Sequence, residues 1–241
     1  QTNTDNITIT NLYGGNNRGG LATNCNLNVK SGNIDNIYGG GNQAIVGNTN
    51  VTIINVKANN VYGGGNAAGV NTTTHLNVLG GTYTTNVYGG GNEGTVGTST
   101  TVVANAGTIN GSIYAGGNGS TATVKGDTNI SISGSVVIGS PTGQIPATGS
   151  VFGGGNAATT GTLVTNASKA NVDIAGGTIY GNVYGGANTS VVYGTTDVNI
   201  GADVATSSSV IKSNIYIGGT VFGGGEANAS GSDTYDYSFI S

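Results

Sequence analysis

Methionine and tryptophan are absent from this 241-residue chain, while cysteine and histidine occur once each and proline twice. A lone cysteine, Cys25, excludes an intramolecular disulfide framework, and its expected place is that of a small apolar residue in the interior. Charged residues make up only 7%, against roughly a quarter in an ordinary soluble domain. The ten acids and six bases are scattered singly, for a net charge of −4. No basic stripe exists to neutralise phosphates, so nucleic acid is not an expected partner. No apolar run approaches the ~18 residues of a spanning helix, and no polybasic or amphipathic segment is present, so no membrane insertion is expected within the chain. The start at Gln1, with no methionine anywhere, reads as a processed chain or one cut from something longer.

What the chain has instead is glycine, 47 residues of it. Glycine at that density without a period would indicate a disordered linker. Here it recurs at fixed spacing. The motif reads LYGGNN at Leu12–Asn17, IYGGGN at Ile37–Asn42, and VYGGGN at both Val61–Asn66 and Val87–Asn92. It continues as IYAGGN at Ile113–Asn118, VFGGGN at Val151–Asn156, VYGGAN at Val183–Asn188 and VFGGGE at Val221–Glu226. The aromatic positions lie 25, 24, 26, 26, 38, 32 and 38 residues apart.

Between copies lies a short segment of period-2 alternation, as in NITIT, NLNV, HLNV, NISIS, NVDI and DVNI. Its apolar pairs, such as Leu76 and Val78 or Val172 and Ile174, point one way and the polar residue between them points the other. A return segment such as Thr108–Tyr114 leads back to the motif. A unit of about 25 residues with so few apolar side chains cannot enclose a core alone, but stacked units can.

The expected fold is therefore all-β: a parallel, right-handed β-helix (β-solenoid) of about eight coils of ~25 residues with almost no helix. Residues 1–241 form a single domain and a rod roughly 40 Å long at the usual inter-strand spacing. In each motif the Val or Ile faces inward, and glycine turns the corner by positive φ or close backbone approach. The aromatic side chains Tyr13, Tyr38, Tyr62, Tyr88, Tyr114, Phe152, Tyr184 and Phe222 should form a column, in which phenylalanine at two positions makes the hydroxyl optional. The asparagines Asn16, Asn42, Asn66, Asn92, Asn118, Asn156 and Asn188 should form an amide ladder. Long intervals place insertions near 134–149, 157–170 and 202–214. The first and third are expected at the same point of the repeat, between the alternating strand and the return segment, and hence side by side.

These repeats resemble the Gly-rich β-helical repeats of bacterial and archaeal surface proteins of the adhesin-like or autotransporter-like kind, through the (V/I)(Y/F)GGGN motif along essentially the whole chain. The resemblance implies an extracellular, cell-surface setting and a stalk-like structural or adhesive role. It carries over no functional residue, because the motif itself is structural.

Side chains that carry chemistry are sparse, and the chain is expected to be neither an enzyme nor a binder of metal or cofactor. His75 precedes a core-facing strand with no cysteine or carboxylate near it in sequence, and no GxSxG elbow is present for a serine triad. Polysaccharide cleavage needs two carboxylates facing one another; Asp173 and Asp197 alone approach one column of adjacent coils, and are expected to be two solvated side chains. The GGGN run lacks the Asp and the nine-residue period of a calcium repeat, and no Lys follows a glycine run as a P-loop demands. Ice binding needs a repeated Thr array, whereas the outward column Thr8, Asn28, Asn77, Ser131, Asp173, Asn199 is mixed. The main alternative to a structural module is a carbohydrate-binding β-helix using the inserted loops or an exposed tyrosine column, with surface glycans as partners. The terminal segment 233–241, with Tyr235, Tyr237 and Phe239 alternating with polar residues, is a candidate assembly strand or cap. It is expected either to cover its own last coil or to pair head-to-tail with another copy.

Overall fold

The computed structural model describes residues 7–141, 148–165, 167–201 and 214–226, and the backbone of 238–240. In chain order the strands are β1 (Thr8–Tyr13), β2 (Ala22–Tyr38), β3 (Val46–Tyr62), β4 (Thr73–Tyr83), β5 (Val87–Tyr88), β6 (Ser99–Ile109), β7 (Ile113–Tyr114), β8 (Thr128–Ile132), β9 (Val137–Ile138), β10 (Val151–Phe152), β11 (Ser168–Ile174), β12 (Gly177–Ile179), β13 (Val183–Tyr184), β14 (Gly194–Ile200), β15 (Ile215–Ile217), β16 (Val221–Phe222) and β17 (Ser238–Ile240). All belong to one sheet that winds on itself, and each pairs in parallel with the strand one turn away. The molecule is a β-solenoid of about seven turns, with no helix among the described residues.

Each turn has three sides. Side A is the alternating strand, side B the return segment and side C the aromatic motif. On side A, Leu27, Val51, Leu76, Val102, Ile130, Val172 and Val198 lie one above another. Side B contributes Ile9, Ile34, Ala58, Tyr83, Ile109, Ile138, Ile179 and Ile217. Side C contributes Leu12, Ile37, Val61, Val87, Ile113, Val151, Val183 and Val221. These columns converge on one continuous apolar core. Burying each Val, Leu or Ile there contributes about 1.5–3 kcal/mol, and period-2 alternation delivers the residues to the inside. Tyr83 is the bulky exception on side B. It fits because its neighbour one turn back is only Ala58, and its hydroxyl donates to the Gly80 carbonyl at 2.7 Å.

The glycine corner has a specific cause. None of the motif glycines among the described residues has a positive φ, so close approach alone excludes a side chain. A Cβ on Gly64 would lie 2.8 Å from the Gly91 nitrogen, and one on Gly90 would lie 2.8 Å from the nitrogen and Cα of Gly117. This second glycine is unsubstituted in all eight copies, whereas Ala115 replaces the first and Asn16 and Ala187 the third.

The register locates the insertions and separates two that were expected together. Ile138 pairs with Ile109 and Val151 with Ile113, so most of the extra residues of the first long turn lie between β9 and β10, after side B. In the last turn Ile200 pairs with Ile174 and Ile215 with Gly177, which puts its insertion between β14 and β15, before side B. The two therefore leave the rod at different corners. The third lies between Thr160, bridged to Val124, and Ala170, paired with Thr128.

Candidate functional site

The side-chain columns are the feature that the whole sequence serves, and their geometry defines the candidate site. Rings from Tyr13 to Phe222 stack in seven successive parallel contacts, with centroids 4.7–5.0 Å apart. From Tyr38 to Tyr184 they are only 3–6% exposed. The expected exposed tyrosine surface for a glycan is thus not available: the neighbouring rings cover one another's faces. Burial pushes the Tyr88 hydroxyl up to about 12, with Tyr114 adding to the effect and a hydrogen bond from Asn86 opposing it. Tyr38, Tyr62, Tyr114 and Tyr184 move in the same direction, chiefly through burial.

Beside the rings runs an amide ladder. Each asparagine donates through Nδ2 to Oδ1 of the one a turn earlier: Asn42 to Asn17, Asn66 to Asn42, Asn92 to Asn66, Asn118 to Asn92, Asn156 to Asn118 and Asn188 to Asn156, all at 2.8–3.0 Å. The first rung is Asn17, not Asn16. LYGGNN aligns Asn16 with Gly41, and Asn16 joins the stack only through its carbonyl, which accepts from the Asn42 backbone N–H. At the far end Asn188 pairs with Glu226.

A second polar line flanks the rings on the other side. Asn36 donates to Asn11 and Asn60 to Asn36. Further along, side-chain oxygens of Asn86, Ser112, Ser150 and Asn182 accept from the backbone N–H one turn on, at Ser112, Ser150, Asn182 and Thr220. Asn86 and Asn182 also donate to the hydroxyls of Tyr88 and Tyr184.

Sequence reasoning missed a third set, the interior threonines. Thr49, Thr74 and Thr100 are buried, and their hydroxyls donate at 2.6 Å to the carbonyls of Gly63, Gly89 and Ala115. Thr196 does the same to Gly223. Among the described residues no backbone N–H reaches these four carbonyls, so the hydroxyl satisfies a group that would otherwise be buried unpaired. The signal was a threonine two residues before the first inward apolar residue, as Thr49 before Val51, Thr74 before Leu76 and Thr100 before Val102. Cys25 and Ala170 occupy the same column, and burial pushes the Cys25 thiol's pKa up.

The remaining candidates do not converge. Asp173 is in register with Asn199 and Asp197 with Asn171, so the two acids stand in different columns, and Asn199 donates to Asp173 at 2.8 Å. His75 is half-buried between Asn50 and Thr101 in its column. Among the described residues no three His, Cys, Asp or Glu side chains gather. No family model, curated protein or solved structure matches this chain. Its geometry alone therefore carries the functional reading. Of the candidate assembly strand, Tyr235 and Tyr237 lie outside the described residues. Ser238, Phe239 and Ile240 pair in parallel with Gly194, Thr195 and Thr196, so this strand takes the side A position on its own last turn.

Proposed function

We propose that the chain is a structural repeat module of an extracellular surface protein or filament, a rod whose side chains serve cohesion between turns. The observation that carries this reading is the uninterrupted aromatic column across all eight motif copies, with its amide ladder across the first seven. Each turn gains stacking, amide bonds and a parallel backbone ladder from its neighbours, so load along the rod is shared by many weak, identical contacts. An outer surface of Asn, Thr and Ser with few charges suits an extracellular setting. Single-molecule pulling on the 241-residue chain, paired with a glycan array and a polysaccharide-turnover screen, tests the proposal. The expected result is turn-by-turn resistance to unfolding, with neither glycan capture nor turnover. Glycan capture lost on deleting residues 140–148, which leaves β9 in place, would replace this reading with a lectin, and turnover lost in Asp173→Asn or Asp197→Asn would replace it with an enzyme.

A further inference from the structure

The first and last described turns are in phase. The described path enters on sides B and C with β1, which pairs with the Asn33–Tyr38 part of β2. At the other end β15 and β16 occupy sides B and C of the last turn, and β17 stands on side A one step further. A second copy placed on the C-terminal end would set its β1 over β15 and β16. Its Thr23–Cys25 stretch would then lie over β17. The path of the helix continues in the same A, B, C order across such a junction, with the side B and side C columns in register.

The chemistry at the two ends is complementary as well as periodic. Val221 and Phe222 are 40% and 43% exposed, whereas Val183 and Tyr184 in the same columns are 0% and 6% exposed. The residues that would meet them are Leu12 and Tyr13, the first members of those columns. In the amide ladder every Nδ2 donates toward the preceding turn, so Asn17 presents a donor with no turn before it among the described residues. The opposite end presents Glu226, the one motif copy in which a carboxylate replaces the amide. A carboxylate only accepts, so inside the ladder it could not donate to Asn188, but at the end it is the matching group for an incoming amide. Arg18, the single arginine of the chain, follows Asn17 and is exposed.

We propose that a second copy of this chain stacks head-to-tail on the C-terminal end, with Glu226 of one copy receiving Asn17 and Arg18 of the next. The inference deepens the structural reading above, turning a single rod into a filament, because a head-to-tail contact that does not close repeats indefinitely. Sedimentation velocity and electron microscopy of the intact 241-residue chain test it. The expected result is a mass that rises with concentration and single-file filaments of constant width. Glu226→Lys and, at the opposite end, Arg18→Glu should each weaken association on the order of a hundredfold, as a like-charge or unmatched contact does. The double variant Arg18→Glu with Glu226→Lys should restore growth, and Phe222→Asp should abolish it. An intact chain that stays single at every concentration overturns the junction while leaving the rod reading in place. Assembly that is indifferent to both charge reversals overturns it too.

Discussion

From Tyr13 to Tyr114 the aromatic column advances every 24 to 26 residues; from Tyr114 to Phe222 it advances every 32 to 38. Ring separations are nonetheless 4.9–5.0 Å in the first stretch and 4.7–5.0 Å in the second. Strands differ sharply between the two: β2 and β3 run 17 residues without a break, while the later turns are built from pieces of two to seven. Vertical order is thus set by what stacks, and chain length between columns is free wherever the path leaves a corner. Loop closure grows only slowly in cost with length, so a turn can carry an insertion without disturbing its neighbours.

The corner glycine should reveal that both stretches obey the same rule. A Cβ on Gly90 would meet Gly117 at 2.8 Å, and one on Gly186 would meet the Gly225 nitrogen at 2.6 Å. Because the obstacle is backbone and cannot rotate away, Gly90→Ala and Gly186→Ala should each cost about 3 kcal/mol. Gly19→Ala, where a Cβ would meet nothing within 4 Å, should change stability by less than about 0.5 kcal/mol. Denaturant melts of the three variants check this. Tolerance of Gly186→Ala alongside intolerance of Gly90→Ala would mean that the irregular turns are packed on a different principle.

The interior threonines give a smaller contrast. Thr100 belongs to the regular stretch and donates to the Ala115 carbonyl, whereas Thr128, next above it in the column, is buried with no partner for its hydroxyl. Thr100→Val strands a buried carbonyl and should cost about 1–3 kcal/mol. Thr128→Val removes an unpaired hydroxyl from the interior, at constant shape, and should be neutral or stabilising by about 1 kcal/mol. Equal losses in the two melts would show that Thr128 has a hydrogen bond after all.

How much of this was legible in the sequence follows from where each signal is written. The solenoid, its columns and the inward residues are encoded in period and alternation, and Tyr38, Tyr62 and Tyr88 stack as successive turns. Register at the edges was harder. Asn16 and Asn17 are the same residue type, and only the turn above shows which one faces the ladder. The burial of the rings could not be read either, because each ring is covered by residues a full turn away. The insertions were visible as long intervals, but their corners depend on which side B residue pairs with which. Val137–Ile138 carries no glycine or threonine like that in Thr108–Ile109 to mark it as the return segment.

The last contrast converts one kind of turn into the other. Ile138 pairs with Ile109 and Val151 with Ile113, and Gly149 and Ser150 sit over Gly111 and Ser112. Gly139 and Gly149 lie against each other, since a Cβ on Gly149 would fall 2.2 Å from the Gly139 Cα. Excising residues 140–148 joins these glycines and leaves Ile138-Gly-Gly-Ser-Val151, the same spacing as Ile109-Asn-Gly-Ser-Ile113 in the turn before. The columns on either side lose no member, and the loop's closure term changes by less than about 1 kcal/mol. The shortened chain should therefore melt within about 1 kcal/mol of the intact one and keep the near-ultraviolet signal of its stacked tyrosines. A loss of several kcal/mol, or a collapse of that signal, would show that residues 140–148 brace the irregular turns and that corners are less free than the even ring spacing implies.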